Sequence, residues 1–324
     1  MPLSNGPIAL RLYVTDECGR YCKYCPERTE RNRYSVPVIA DYDKIKRIVG
    51  ECPAIGIRFV ELAGGDPLLW PELSKLMAYC RGLELFTLLP VSGEGMVKSF
   101  DVMGRDWLSI PDMIRISIHH DPNSGEDPFR QILREIETIK KYRADGKTQL
   151  GVILIPGEGG NLNREFLERV IALAEKLSCQ IKPSPLLGTW LAENKEKFER
   201  LWADISDAEC EALMWFAREP SVLPESILFR LEGGNNIDNP LCQAGNTVIT
   251  VRNGRVLWPC AINPDLCVDI KNSLAAALSS KEELDCEEPG TRDHCKGCSY
   301  DCSDVRGTLS RADSTKLQGA YSSM

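Results

Sequence analysis

The chain has 324 residues, of which 43% are hydrophobic and 27% charged, a composition typical of a globular protein with a well-formed core. Its formal net charge is -8 and no lysine- or arginine-rich block occurs, so we expect no nucleic-acid partner. No apolar run reaches the length of a membrane-spanning helix, and the N-terminus lacks the features of a secretory signal. We therefore expect a cytoplasmic protein with no membrane association, in which 14 cysteines favour metal or redox chemistry over disulfides.

Short apolar runs alternate with amphipathic helical patterns over residues 1–190. The predicted strands are residues 8–14, 57–64, 83–91, 113–119, 150–156 and 179–185. The predicted helices are residues 41–52, 71–80, 127–146 and 163–178, with a weaker helical pattern over 96–107. Such alternation indicates an α/β fold whose parallel strands are joined by right-handed crossovers. Six strands suit an open, partial (β/α)6 TIM-like barrel, in which the loops after the strands gather at one edge. Periodicity alone leaves a flat sheet open.

The character of the chain changes after residue 190. Residues 191–235 predict a helical connection with many charged residues, to which we assign no catalytic or binding role. Residues 236–305 predict a small α+β domain, which begins with a hairpin over 246–260 that turns at an Asn-Gly pair. This domain is rich in cysteine and poor in aliphatic residues, so a bound metal would help it to fold. Residues 306–324 form a polar tail.

Three cysteines, Cys18, Cys22 and Cys25, follow the first predicted strand directly. Structural zinc requires four protein ligands, and no histidine lies nearby in the sequence. A [4Fe–4S] cluster held by three thiolates keeps one iron open to another ligand. Four isolated cysteines, by contrast, predict ordinary core or surface positions: Cys52, Cys80, Cys179 and Cys210.

The C-x3-C-x-aromatic-C spacing, with Tyr24 as the aromatic residue, resembles the signature of the radical S-adenosylmethionine (SAM) superfamily. The resemblance implies that Cys18, Cys22 and Cys25 bind a [4Fe–4S] cluster whose open iron is chelated by SAM. Reductive cleavage of SAM would then give a 5′-deoxyadenosyl radical that takes a hydrogen atom from the substrate. A zinc or purely structural role for the three cysteines is the alternative.

Four residues after the second strand, Gly64, Gly65, Asp66 and Pro67, are similar to the Gly-Gly-Glu-Pro stretch that meets the SAM amino group in this family. Aspartate replaces the commoner glutamate, which shortens the side chain by one carbon and puts only its direct contact in question. An ordinary strand-to-helix turn would also explain these residues.

The resemblance places further SAM contacts at the later strands. Ser117 stands where the family often contacts the ribose, and Arg130 where an arginine often contacts SAM. Val152 or Ile155 would lie beside the adenine. The alternatives are a backbone hydrogen bond for Ser117, a solvated helix face for Arg130 and core packing for the two apolar residues.

The second group of cysteines resembles the SPASM/twitch domains of some radical SAM enzymes. Its members are Cys242, Cys260, Cys267, Cys286, Cys295, Cys298 and Cys302. The resemblance implies one auxiliary [4Fe–4S] cluster on Cys242, Cys260, Cys295 and Cys298, with Cys302 competing for a place. A second auxiliary cluster and a zinc site that includes His294 are the alternatives.

The sequence leaves the substrate open. Relatives with this extension mostly modify ribosomally made peptides by oxidative cross-linking, thioether formation or epimerisation, and a minority act on small molecules such as aminoglycoside precursors. We expect no leader-binding module before the first predicted strand, which weakens the peptide hypothesis without removing it, because such a module can be a separate chain or absent. The resemblance also implies a reducing partner such as flavodoxin or ferredoxin. A non-catalytic iron–sulfur or zinc protein is the alternative of another class.

No catalytic residue is identified by the sequence, but five positions are candidates. His119 or His120 would assist proton transfer if one of them faces the site, and a surface position is the alternative. Cys267 or Cys286 would return a hydrogen atom in an epimerisation, as would Cys210.

Overall fold

The computed structural model describes residues 9–19, 39–118, 127–144, 146–157, 160–185, 204–223, 248–252, 255–257 and 267–279. Its strands are β1 (Ala9–Thr15), β2 (Phe59–Gly64), β3 (Phe86–Ser92), β4 (Met113–Ile118), β5 (Lys147–Leu154), β6 (Gln180–Pro185), β7 (Val248–Arg252), β8 (Arg255–Leu257) and β9 (Cys267–Asp269). Its helices are α1 (Tyr42–Glu51), α2 (Leu73–Gly82), α3 (Gly93–Met103), α4 (Pro128–Arg134), α5 (Ile136–Tyr142), α6 (Arg164–Leu177), α7 (Asp207–Phe216) and α8 (Leu274–Ser279). None of these helices has the length and apolar character needed to cross a membrane.

The six predicted barrel strands and the helical patterns between them are confirmed, with two differences. The helix expected over 127–146 is interrupted at Glu135, which ends α4 and precedes α5. The weak pattern over 96–107 forms α3, which begins earlier, at Gly93. Ser92 caps this helix, because its side chain accepts a hydrogen bond from the Gly95 backbone N–H.

Several helices begin at a polar cap that the sequence supplies. The caps whose side chains accept a backbone N–H are Asp41, Ser92, Asp127, Asn163 and Ser206. Each satisfies a donor that the first turn of a helix leaves without an intrahelical partner. These caps fix where the helices start after the carboxyl ends of the strands, and so shape the edge at which the site lies.

One continuous sheet contains all nine described strands, in the order β6-β5-β4-β3-β2-β1-β7-β8-β9. Strands β1 to β6 are parallel to their neighbours, as expected for the partial TIM-like barrel. The predicted hairpin is confirmed by antiparallel pairing of β7 with β8, in which Arg252 lies opposite Arg255. Strand β7 also pairs in parallel with β1, so the hairpin extends the barrel sheet. The predicted domain boundaries stay predictions.

The two faces of the sheet have different surroundings. Alternate apolar residues such as Leu10, Val60 and Ile114 pack in the main core with residues of the helices. The opposite, inner face has an apolar floor formed by Ala9, Phe59, Leu88, Met113 and Val248, against which Phe86 packs. Nearer the carboxyl ends of the strands this inner face becomes polar, which places hydrogen-bonding groups beneath the site.

Arg143, just after α5, braces the opposite end of the barrel. Its guanidinium donates hydrogen bonds to the backbone carbonyls of Leu108, Pro111, Asp112 and Lys147. Burial lowers the pKa of Arg143 to about 10. The side chain therefore fastens the segment before β4 to the start of β5.

Candidate active site

The cysteine segment begins where β1 ends. Cys18 is a free, half-buried thiol three residues after Thr15. Cys22, Cys25 and Tyr24 lie outside the described residues. Within the described part of the chain no group of three or more histidine, cysteine or acidic residues stands close enough to hold a metal ion. The structure thus places the first cysteine of the motif at the carboxyl end of the first strand.

The predicted Gly-Gly-Asp-Pro stretch is bound to this same segment through its backbone. Gly65 donates its N–H to the carbonyl of Thr15 over 2.7 Å, and Asp66 donates to the carbonyl of Glu17 over 2.6 Å. A Cβ atom at Gly64 would collide with the Thr15 carbonyl, and one at Gly65 with the Glu17 carbonyl. Gly64 also has a φ of 138°, a region that favours glycine. These two glycines let the ends of β1 and β2 approach closely.

The Asp66 side chain bonds locally rather than extending as a glutamate would. Its Oδ1 atom accepts the backbone N–H of Leu68 over 3.1 Å and so caps the short 3-10 turn Pro67–Leu69. Its Oδ2 atom faces the position at which a Cβ of Gly95 would stand, near the start of α3. The end of β3, to which the sequence assigned no role, therefore borders the motif through Ser92 and Gly95.

Ser117 lies on the inner face in a row of paired residues near the carboxyl ends of the strands. The row runs from Ser92 through Ser117 and Gly151 to Lys182. A Cβ at Gly151 would stand 3.3 Å from the Ser117 Oγ atom, so the serine side chain points toward that glycine. The Cγ and Cδ atoms of Arg115 lie at the same 3.3 Å from that position, so the missing side chain at Gly151 lets Arg115 and Ser117 pack against the strand.

The two residues predicted beside the adenine lie in different places. Val152 is 1% exposed and packs in the main core with the helices, on the face opposite Ser117. The family resemblance suggested this residue, and the structure supports the alternative of core packing for it. Ile155, just after β5, remains as the candidate on this strand.

A buried asparagine holds Ile155 in place. Asn161 is 0% exposed, and its Oδ1 atom accepts the Ile155 N–H over 2.8 Å. Its Nδ2 atom donates to the carbonyl of Ile153 over 2.7 Å, and its own N–H donates to the carbonyl of Ile155 over 2.9 Å. The sequence reasoning missed Asn161, although an asparagine after a glycine-rich turn was the available signal.

Glu209 of α7 secures the same loop from outside the barrel. Its Oε1 atom accepts the Gly157 N–H over 2.7 Å, while its Oε2 atom accepts hydrogen bonds from Ser206. Burial alone would raise the pKa of Glu209, but these hydrogen bonds outweigh it and lower the pKa. Residues 191–235 were expected only to connect two domains, but Glu209 in this region stabilises the loop after β5.

The remaining predicted residues are either exposed or lie outside the described part of the chain. Arg130 is exposed, in the first turn of α4, as the solvated alternative anticipated. His119 and His120 lie outside the described residues. So do six cysteines of the second group, Cys242, Cys260, Cys286, Cys295, Cys298 and Cys302. For Cys267 only the backbone is described, where it begins β9 opposite Leu257.

The isolated cysteines behave as the sequence predicted. Cys52 and Cys80 are both 0% exposed members of the core. Burial raises the pKa of the Cys52 thiol well above its ordinary range and that of Cys80 to about 12. Burial likewise raises the pKa of Cys179 to about 12. Cys210 is partly buried on α7.

The inner face beneath the cysteine segment carries buried polar pairs. Arg11 of β1 donates from Nε to Glu61 of β2 over 2.7 Å, and both residues are 8% exposed. Arg115 of β4 donates from Nε to Gln149 of β5 over 2.6 Å. Such an interior is suited to a substrate group that forms hydrogen bonds.

An ion pair joins the C-terminal hairpin to the cysteine segment. The Arg252 Nη2 atom lies 2.7 Å from the Asp16 Oδ1 atom, and the two side chains are 7% and 3% exposed. The Arg252 guanidinium also lies over the Tyr13 ring, 5.1 Å from its centroid. A residue near the end of the described chain thus contacts the segment that leads into Cys18.

Comparisons with known proteins agree on the family. A model described as "Radical SAM superfamily" matches residues 12–170. GTP 3′,8-cyclase of Clostridium perfringens (strain SM101) is 30% identical over 232 residues, which are 69% of this chain and 66% of that protein. PqqA peptide cyclase of Methylobacterium sp. (strain 4-46) is 31% identical over 94 residues, which are 29% of this chain and 24% of that protein. The matches span less than two thirds of the length of these two relatives.

Solved structures show the same fold over most of the chain. Streptococcus suis SuiB bound to S-adenosylmethionine has a TM-score of 0.57 at 16% identity, covering 92% of this chain and 73% of that chain. SuiB bound to the precursor peptide SuiA has a TM-score of 0.55 at 14% identity, covering 93% of this chain and 64% of that chain.

The family match begins within β1 and extends into α6, so it includes Cys18, the double-glycine junction, Ser117 and Gly151. The cysteine spacing, the parallel sheet and the comparisons therefore lead to one conclusion: the chain belongs to the radical SAM superfamily of enzymes.

Proposed function

We propose that this enzyme uses a SAM-derived radical to modify a ribosomally made peptide, by an oxidative cross-link, a thioether or an epimerisation. The relationship to PqqA peptide cyclase supports a peptide substrate. The fold shared with SuiB, whose structure with the precursor peptide SuiA is known, shows that this architecture accommodates a peptide in a relative.

The superfamily implies a [4Fe–4S] cluster and SAM, and the described residues fit both groups. Cys18 presents a half-buried thiol at the end of β1, where Cys22 and Cys25 would complete the three ligands. The double glycine brings the backbone of Gly65 and Asp66 against this segment, so that peptide groups rather than side chains border the site. When bound, the cluster and SAM supply a 5′-deoxyadenosyl radical that takes a hydrogen atom from the substrate.

Residues of this chain would then orient SAM. The backbone around Gly65 and the Asp66 carboxylate would border its methionine part. Ser117, whose side chain lies beside Gly151 on the inner face, would meet the ribose. Ile155, held by Asn161, would lie beside the adenine. Asn161 and Glu209 would position this last contact without touching SAM themselves.

The observation that carries the peptide proposal is the similarity to PqqA peptide cyclase, and the polar inner face supports a substrate that forms hydrogen bonds. Arg11, Glu61 and Gln149 place buried charged and amide groups above the apolar floor, and Arg115 adds a partly buried guanidinium. Peptide backbone and polar side chains offer hydrogen-bonding partners to such groups.

We further propose one auxiliary [4Fe–4S] cluster on Cys242, Cys260, Cys295 and Cys298, with Cys302 as a competing ligand. In an oxidative reaction it would accept the second electron of the substrate, while the proton leaves to a base. Flavodoxin or ferredoxin would reduce the SAM cluster, and the cytoplasm is the proposed compartment. His119, His120, Cys267 and Cys286 remain the candidates for proton or hydrogen-atom transfer.

A small polar molecule is the second candidate substrate. The match to GTP 3′,8-cyclase extends over 69% of this chain, compared with 29% for PqqA peptide cyclase. The polar inner face would accept a nucleotide or an aminoglycoside precursor as well as a peptide group.

Mass spectrometry of anaerobic reactions distinguishes the two candidates. Reconstituted enzyme, SAM and dithionite are incubated either with peptides encoded beside its gene or with nucleotides and amino sugars. The peptide proposal predicts a peptide lacking two hydrogen atoms, or one deuterium gained in heavy water, together with 5′-deoxyadenosine formation above the uncoupled rate. Product from the small molecules alone would contradict it.

A further inference from the structure

The ion pair between Asp16 and Arg252 joins two parts of the chain that are 236 residues apart in sequence. Strand β7 runs parallel to β1, with pairings from Ala9 with Val248 to Leu12 with Val251. Arg252 is the last residue of β7, so its side chain emerges one position beyond this register, beside Tyr13. The sheet pairing thus fixes the backbone from which Arg252 reaches Asp16.

Asp16 lies between two residues that are hydrogen-bonded to the Gly-Gly-Asp-Pro stretch. The carbonyls of its neighbours Thr15 and Glu17 accept the N–H groups of Gly65 and Asp66. The Thr15 Oγ1 atom also accepts the Glu17 N–H over 3.0 Å. Any movement of Asp16 would therefore be transmitted to both the Gly-Gly-Asp-Pro stretch and Cys18, two residues further on.

Burial makes the Asp16 carboxylate dependent on a cationic partner. It is 3% exposed, and its Oδ2 atom is buried without a hydrogen-bond partner. A buried carboxylate is costly unless it is paired and hydrogen-bonded. Arg252 supplies the one ion pair that Asp16 makes among the described residues.

We propose that Arg252 is a positioning residue for the SAM cluster: by pairing with Asp16 it fixes the segment that leads into Cys18 and balances the charge beside the cluster. The inference rests on the cluster ligands named under the proposed function. Net charge and hydrogen bonding near an iron–sulfur cluster set its reduction potential. The C-terminal hairpin is then an electrostatic component of the SAM site, and in the sequence it lies between Cys242 and Cys260, two proposed ligands of the auxiliary cluster.

This charge balance predicts opposite effects for the two halves of the pair. Arg252→Met leaves an unpaired carboxylate near the cluster, which disfavours the added electron and lowers the reduction potential. Asp16→Asn removes the negative charge while Arg252 keeps its positive charge, which raises the potential. The double variant carries neither charge, so its potential returns toward that of the wild type. Loss of stability alone would not give shifts of opposite sign that cancel.

The hairpin offers a matched control. Arg255 begins β8 and pairs with Asp269 over 2.7 Å, but these side chains are 52% and 54% exposed. Arg255→Met therefore removes an arginine from the same hairpin where solvent screens the charge, and we expect an unchanged potential. Arg252→Lys keeps the positive charge, so its reduction potential should lie close to that of the wild type.

The test is an anaerobic redox titration of substrate-free holoenzyme, followed by electron paramagnetic resonance. The signal that SAM addition perturbs identifies the SAM cluster, and iron content is measured for every variant. Opposite shifts for the two single variants and cancellation in the double variant support the proposal. Shifts of the same sign in the two single variants, no shift in either, or a double variant whose potential does not return toward that of the wild type would overturn it. If Arg252→Met does not fold, the near-isosteric Asp16→Asn still decides the question, because an unraised potential contradicts the proposal.

Failure of this proposal is distinguishable from failure of the proposed function, because no substrate is present in the titration. A wild-type enzyme whose cluster is reducible but which modifies no peptide would contradict the peptide proposal and leave the role of Arg252 intact.

Discussion

Gly65 donates its backbone N–H to the carbonyl of Thr15 over 2.7 Å, so the second strand of the barrel is bonded directly to the segment that carries Cys18. This bond requires glycine, because a Cβ atom at position 65 would meet the carbonyl of Glu17. The superfamily's double-glycine stretch thus has a steric explanation in this chain.

Gly65→Ala should displace the cysteine segment from the Gly-Gly-Asp-Pro stretch. Displacements of about 1 Å near reacting groups can lower rates on the order of 100-fold, and we expect a loss of that size in SAM cleavage. The rate of 5′-deoxyadenosine formation and SAM affinity by equilibrium dialysis measure it. Gly82→Ala is the control, since a Cβ there meets nothing within 4 Å. Equal activity of the two variants would show that the close approach is unimportant.

Asn161→Ala should destabilise the loop after β5, because it leaves the Ile155 N–H and the Ile153 carbonyl without their partner. A buried unsatisfied group costs about 1–3 kcal/mol, so we expect a decrease of about 2–4 kcal/mol in the free energy of unfolding. Urea denaturation measures it, and the KM for SAM should rise as Ile155 shifts.

Asn163→Ser is the matched control for this loop. It keeps a side-chain oxygen at the cap of α6, where Asn163 accepts the Phe166 N–H. A control variant as unstable as Asn161→Ala would argue against a specific role for the buried asparagine.

The order of cysteine alkylation should follow burial. With a pKa of about 12, the Cys80 thiol has roughly 1,000-fold less thiolate at pH 8 than an ordinary thiol at 9.0, and its full burial slows the reaction further. We therefore expect iodoacetamide to modify Cys210 in the folded holoenzyme while Cys52 and Cys80 react only after unfolding. Peptide mapping of timed reactions checks this, and early labelling of Cys80 would show that the core opens.

Arg143→Met should lower stability without altering the site directly. It removes a guanidinium that donates to four backbone carbonyls, so we expect a decrease of about 3 kcal/mol or more in the free energy of unfolding. Arg164→Met is the control: Arg164 pairs with Glu168 at side chains that are 55% and 56% exposed, and its loss should cost less than about 1 kcal/mol. Denaturant titration separates the two, and similar values would contradict the bracing role.

Much of the fold follows from local pattern, because each barrel strand carries apolar residues at the spacing that faces the helices. The register that brings Ser117 beside Gly151 and Lys182 depends on sheet pairing and is invisible in one strand. The predicted strand over 150–156 contains only apolar residues, glycine and proline, so its periodicity does not show which residues face the site. In the structure Leu150, Val152 and Leu154 pack with the helices, which separates Val152 from Ile155.

Long-range polar contacts were beyond the reach of sequence reasoning. Asp16 and Arg252 are separated by 236 residues, and no periodicity links them. Glu209 stands in a charged helical segment that resembled a solvated face, and its role depends on the position of the Gly157 loop. In both cases the tertiary fold creates the partner.

Metal and cofactor analysis of the cysteine motif tests the central claim most directly. Wild-type protein and a Cys18→Ala/Cys22→Ala/Cys25→Ala variant are reconstituted without oxygen, and iron, sulfide, zinc and 5′-deoxyadenosine formation from SAM are measured. With one auxiliary cluster, we predict about eight irons in the wild type, a loss of about four in the variant, and no SAM cleavage by the variant. Zinc in place of iron, or SAM cleavage that survives the triple substitution, would contradict the account.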